Sequence, residues 1–238
     1  MRKTPHSILL ISVTMATIIF LAVNGAVRTE YEQKPHIQEE FAEQDYQALY
    51  DFYIAATPNL AGRPYYGDPD APITLILYTD FTSAGAQAFA DDILPGLLSE
   101  FVHTGKAKLY HKHHLTTDDY QQKTPTYYYA QSLSCYHEQQ PATYYEFLFA
   151  LFNTTLHDLP ELVGSHGADR QALMQCIREQ TFKNIKEDLG EVQQFGMVGI
   201  TPRLYVGMRQ RGYQSIDGVP VYDQVRRKIR DYQVRLGD

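Results

Sequence analysis

Charge is what the first part of this chain lacks. From Ser7 to Val27, a run of 21 residues, there is no Asp, Glu, Lys or Arg, and a helix that spans a bilayer needs about 20 mainly apolar residues. The run exceeds a signal-peptide core of about 7–15 residues, which favours a retained transmembrane anchor over 7–27. Small residues at Val23, Gly25 and Ala26 keep a cleaved signal segment as the rival reading. Arg2 and Lys3 precede the run, whereas Glu30 and Glu32 follow it. That asymmetry expects residues 1–6 in the cytoplasm and the body on the periplasmic or extracytoplasmic side of an inner or plasma membrane. No cysteine stands near the end of the run, which excludes a lipoprotein.

A basic surplus is also missing. Lys and Arg number 21 against 28 Asp and Glu, for a net charge of −7, so nothing invites a nucleic-acid role. Tryptophan is absent while tyrosine occurs 19 times, a usage suited to amphipathic packing and interfaces. There is no internal repeat and no low-complexity tract. Hydrophobic residues make up 44% and charged ones 21% of the 238, ordinary values for one globular domain with appendages.

Residues 28–66 read as a linker followed by an amphipathic helix. Ile37, Phe41, Tyr46, Leu49, Tyr50, Tyr53 and Ile54 form a helical stripe. A helix over 37–56 either packs on the body or serves as a stalk for a homo-oligomer. Pro58 and Gly62 stop it. Turn residues from Gly67 to Pro72 then lead into Ile73–Tyr78, a β-branched run suited to a strand covered on both faces. A short bend follows, and then a helix with Phe89, Ile93, Leu97, Leu98 and Phe101 on one side. Pro95 predicts a kink in it. Gly105 ends that helix and Lys106–Leu115 returns as a strand, which makes a right-handed βαβ crossover. Helices are expected over 126–138, 141–152, 168–178 and 181–196, with a loop at 164–167. A strand then enters through Pro202, a hairpin partner follows over 210–216, and a last helix over 221–236 turns Val225, Ile229 and Tyr232 inward.

Four segments in this order resemble the DsbA-like branch of the thioredoxin superfamily. GDPDAPITLILYTDF is similar to the lead-in to that family's active site, and ILPGLLSEFVHTGKAKLYHK to its first helix and second strand. FGMVGITPRLYVG is similar to its cis-proline loop, and SIDGVPVYDQV to the start of its last helix. The match runs from about Gly67 to Asp231. It implies an α/β thioredoxin-like fold over 67–238, with a helical insertion at about 120–196.

The resemblance also shows what has been lost. Ser83 stands at the position of the nucleophilic cysteine and Ala86 at that of the resolving one, with Ala84 and Gly85 between. A low-pKa thiolate at a helix N-terminus drives the family's chemistry, and exchange needs sulfur on both partners. The bend Ser83–Ala86 is therefore a degenerate site with no catalytic residue. Pro202 aligns with the cis-proline, so a cis Thr201–Pro202 bond is implied, in a loop that offers backbone groups to an extended polypeptide. Cys135 and Cys176 match positions where some relatives carry a structural disulfide, and in an exported protein two cysteines tend to pair. A redox-active pair and free thiols are the alternatives.

Other polar residues invite weaker readings. His111 and His113 share a strand face while His114 points away, so even with His103 at most two ligands converge, short of a closed zinc site. No metal and no cofactor is expected. Asp80 reads as a capping or hydrogen-bonding residue at the bend. Asp91, Asp92 and Glu100 read as a solvated helix face, and Asp118 and Asp119 as loop residues without a partner. The function expected is a redox-inactive, membrane-anchored binding, structural or assembly module with a protein partner, such as a subunit of a membrane complex. The alternative is a thiol-free enzyme resembling kappa-class glutathione transferases, with Ser83 binding glutathione. A serine hydrolase is weaker, because T-S-A-G-A lacks the first glycine of the nucleophile elbow.

Overall fold

The computed structural model describes residues 57–208 and 211–234. The apolar run at 7–27 and the helix expected at 37–56 lie outside them. Among the described residues no helix is long and apolar enough to cross a membrane.

Five strands form one sheet in the order β1-β3-β2-β4-β5. The central strand β2, Ile73–Thr79, is buried along its whole length, as its β-branched run requires. It lies parallel to β3, Ala107–His113, in register from Ile73↔Ala107 to Thr79↔His113. On its other side it pairs antiparallel with β4, Arg203–Met208, which forms a hairpin with β5, Gly212–Asp217. The edge strand β1 is only Tyr65–Tyr66, antiparallel to β3. It falls in the stretch read as linker, because two residues show no period.

Alternation sorts β2 between two cores. Ile73, Leu75 and Leu77 face the larger one, with Phe89, Leu97, Phe101, Phe147 and Ile229. Ile76 and Tyr78 face the smaller one, with Val192, Phe195, Met197, Tyr205 and Tyr213. The crossover from β2 to β3 starts with α1, Ala84–Asp92. It breaks at Ile93, resumes as α2, Leu94–Leu97, and ends in a π-helical turn over Leu98–Val102. Pro95 sits in the first turn of α2, where its missing N–H does least harm. The predicted kink is thus a restart of the helix. Gly105, at φ 71°, closes the crossover in a left-handed turn.

The insertion contains α3 (Thr117–Gln122), α4 (Pro125–Gln139), a 3₁₀ turn (Pro141–Thr143), α5 (Tyr144–Leu151), α6 (Leu159–Ser165), α7 (Arg170–Glu179) and α8 (Lys183–Gln194). Helices α3 and α6 escape the periodicity reading because they are short. Asp119 is no unpartnered loop residue: it forms a capping box with Thr116 at the start of α3, satisfying two backbone donors reciprocally. The stacked rings of Tyr136 and Phe147, with centroids 3.9 Å apart, hold α4 to α5. The last helix, α9, is Tyr222–Val234, with Val225, Ile229 and Tyr232 buried as the spacing predicts.

Glu100 departs from the solvated face expected of it, whereas Asp91 and Asp92 are exposed. Its carboxylate accepts hydrogen bonds from the Tyr222 hydroxyl and from Arg230, both at 2.8 Å, and so ties the crossover to α9. The Tyr222 hydrogen bond holds the carboxyl below its ordinary range. Burial, with Glu100 alongside, pushes the Tyr222 phenol up to about 12.

Candidate functional site

The site is built at the C-terminal end of β2. There the chain reverses through Asp80, Phe81 and Thr82 before α1 begins. Asp80 organises the reversal. Its Oδ1 accepts from the Thr82 N–H at 2.8 Å, the Thr82 hydroxyl at 2.7 Å and the Thr126 hydroxyl of α4 at 3.0 Å. Its carbonyl accepts the Ser83 N–H at 3.0 Å, and its own N–H donates to Thr201 Oγ1 at 3.1 Å. One aspartate therefore joins the bend, the insertion and the loop before β4. The sequence suggests a hydrogen-bonding role for it, but Thr126 and Thr201 lie 46 and 121 residues away and no local pattern connects them.

Ser83 is the N-cap of α1. Its backbone is extended, and its Oγ accepts the Ala86 N–H at 2.9 Å. That satisfies one of the four donors a helix start leaves unpaired. Among the described residues no histidine hydrogen-bonds Ser83. Ala84 is exposed, Gly85 half-buried and Ala86 fully buried.

The Thr201–Pro202 bond is cis, and this loop faces the bend closely. A Cβ placed on Gly85 would lie 3.0 Å from the Thr201 carbonyl oxygen and 3.2 Å from Pro202 Cδ. Glycine at 85 lets the two segments approach. The resemblance implies that this loop faces the bend, but nothing in the sequence signals the reason for this glycine. Earlier in the same loop, Val198 is 59% exposed.

Beneath the bend the histidines separate as their strand alternation predicts. His111 and His113 share a face, with ring centroids 5.1 Å apart. His114 points elsewhere and hydrogen-bonds the Met197 carbonyl at 2.8 Å. His103 lies at the surface beside the Tyr66 hydroxyl. His111 Nε2 pairs with Thr79 Oγ1 at 2.9 Å, and its ring contacts Phe81. Burial lowers the His111 pKa to about 3, and the same cause puts His113 well below its ordinary value. Both are neutral imidazoles at physiological pH.

On the opposite side of β3, Lys112 is fully buried. It pairs with Asp188 at 3.2 Å and with Glu191, whose carboxylate also accepts from the Tyr78 hydroxyl. Arg63 reaches Asp188 at 2.6 Å. Burial raises the Asp188 pKa to about 6, against the pull of Arg63 and Lys112. This network fastens the segment before β1 and α8 to the sheet.

Cys135 and Cys176 form a disulfide between α4 and α7, with residue exposures of 0% and 8%. The bond joins two helices of the insertion.

A family model described as Thioredoxin matches residues 59–229. A curated relative, disulfide bond formation protein D of Bacillus subtilis (strain 168), is 29% identical over 55 residues, which are 23% of this chain and 25% of that protein. The matched part is thus about a quarter of the relative's length. Among solved structures, oxidised BdbD of Bacillus subtilis matches at a TM-score of 0.64 and 20% identity, over 73% of this chain and 94% of that one. Chlamydia trachomatis DsbA matches at 0.59 and 24% identity, over 75% and 94%. Salmonella enterica Typhimurium BcfH matches at 0.60 and 15% identity, over 92% and 93%.

Proposed function

The chain belongs to the thioredoxin family, with a DsbA-like helical insertion, and from that premise we propose that it is a redox-silent docking module. It binds an extended segment of a partner protein between the Ser83–Ala86 bend and the Thr201–Pro202 loop. The apolar run at 7–27 supports a placement on the outer side of a membrane, as a subunit or assembly factor of a membrane complex.

One observation carries this reading. The bend keeps its helix cap and its close approach to the cis-proline loop, yet contains no sulfur. Thiol–disulfide exchange proceeds through a mixed disulfide, so neither Ser83 nor Ala86 can perform it. The loop's backbone groups remain suited to strand addition, in which main-chain hydrogen bonds supply affinity and side-chain pockets supply selectivity.

The test uses the full chain in detergent and a reduced, carboxymethylated insulin B chain as a thiol-free extended probe. Saturable binding is expected, weakened about tenfold or more by Ala84→Arg at the start of α1 or Val198→Asp in the loop before β4, both at exposed positions. The wild-type chain is expected to give no turnover in dithiol oxidation or insulin reduction. Turnover, or binding indifferent to both substitutions, overturns the reading.

A further inference from the structure

The sequence contains two cysteines in all, and both are consumed in one buried bond. We propose that this protein is a client of a separate dithiol oxidase, which must act on the insertion before α4 and α7 close over the sulfurs.

The electron balance requires an outside oxidant. Joining two thiols releases two electrons and two protons, and the acceptor has to be another disulfide or an equivalent oxidant. The thioredoxin-type bend of this chain cannot serve, in its own molecule or in a neighbouring copy, because Ser83 and Ala86 contain no sulfur. The acceptor comes from outside the chain, and the class proposed is a protein with a Cys-x-x-Cys disulfide, which takes up both electrons in one exchange. The Cys135 thiolate attacks one sulfur of that disulfide and forms a mixed disulfide, and the second oxidase sulfur leaves as a thiolate. The Cys176 thiolate then attacks the Cys135 sulfur. The oxidase departs as a dithiol with both electrons, and the client retains one disulfide.

Burial sets the order of events. In the folded chain Cys135 is fully covered, next to Leu133 and Tyr136, which are also at 0% exposure. The Tyr136 hydroxyl is fastened to the His166 carbonyl at 2.9 Å and to Thr143 at 2.8 Å, so the neighbouring turn of α4 is held shut. Exchange requires an approaching thiolate to reach a sulfur, and a protein active site has no route to these. The oxidase thus meets the pair while the insertion is open. Two cysteines allow a single intramolecular pairing, so an oxidase suffices and no isomerase is needed.

Two measurements test this with the full chain in detergent under anaerobic conditions, each read by thiol alkylation and mass. In the first, the reduced, denatured chain is diluted into folding buffer with an oxidised Cys-x-x-Cys oxidase or with the folded, oxidised form of this protein. Both thiols disappear with the oxidase, and the folded copies give no acceleration over buffer. In the second, the native oxidised chain is exposed to a reduced Cys-x-x-Cys protein, with and without enough urea to unfold the chain. Thiols appear at least about tenfold more slowly in the native chain, because attack in either direction needs the same access. This arm does not depend on whether the reduced chain folds. Oxidation promoted by folded copies, or equal rates of reduction in native and unfolded chains, overturns the proposal.

Discussion

The buried histidines and Asp188 should give this domain opposing responses to acid, and the two can be separated by mutation. His111 titrates at about 3 in the folded chain against an ordinary value of 6.5. Its folded pKa is depressed, so its contribution is present above pH 6.5 and is lost as pH falls from there toward 3. Between pH 7 and pH 5 the unfolded imidazole takes up a proton that the folded one refuses, a loss of about 2 kcal/mol. His113, lowered in the same direction by burial first and then by His111, adds to that loss. Asp188 acts the other way. Its pKa is raised to about 6 from 3.8, so its contribution is full below 3.8 and is lost as pH rises through 6. Between pH 7 and pH 5 the folded acid takes up a proton that the unfolded one does not, a gain of about 1 kcal/mol. The histidine loss therefore dominates, and the wild-type domain is weaker at pH 5 than at pH 7. Urea unfolding at both pH values, followed by circular dichroism, measures the difference. His111→Phe, which keeps a ring against Phe81, should shrink the acid loss by about 2 kcal/mol, and Asp188→Asn should deepen it by about 1 kcal/mol. The readout is the change between pH values, so a uniform destabilisation cancels. An unchanged pH difference in His111→Phe would falsify the assignment of a neutral, sealed imidazole.

Three further outcomes are expected. Cys135→Ala/Cys176→Ala opens a loop with a sequence separation of 41, for which the chain-entropy model gives a ceiling of about 4 kcal/mol. A domain of this size should then melt roughly 8–16 °C lower; a melting temperature within about 2 °C of wild type would refute the stapling role. Ser83→Ala removes the α1 cap and should cost about 1 kcal/mol in denaturant unfolding, while Ser83→Asp retains it. Ser83→Cys/Ala86→Cys should form a second disulfide and give the chain turnover in insulin reduction. Failure of that pair to oxidise would show that the bend does not hold positions 83 and 86 at disulfide geometry.

The sequence reports some of this structure well and some not at all. The run at Ile73 and the stripe from Phe89 to Phe101 placed β2 and its crossover, because burial on both faces or along one face leaves a period. The stripe at Val225, Ile229 and Tyr232 placed α9 in the same way. Helix α3 was invisible: it has six residues and no buried position, so it leaves no period, and only the Thr116–Asp119 capping pair could have signalled it. Glu100 was misjudged because Tyr222 and Arg230 lie more than 120 residues away. The candidate site divides along the same line. Through the resemblance, Ser83 and Ala86 read as replacements of cysteines, and Pro202 as the opposing loop. Contacts made by tertiary approach are not, such as Gly85 beneath the Thr201 carbonyl and Thr126 on Asp80.

The ends of the sheet bear on how the protein behaves when crowded. Edge strands are templates for unwanted pairing between molecules, and proteins blunt them by shortening them or by placing lysine there. Here β1 offers two residues, and on β5 the Ser215 carbonyl accepts the Lys228 ammonium of α9 at 3.3 Å. Among the described residues, both devices leave little backbone for copies to join sheet to sheet. For the docking role proposed above, closing the other places where a strand could add leaves one loop for the partner.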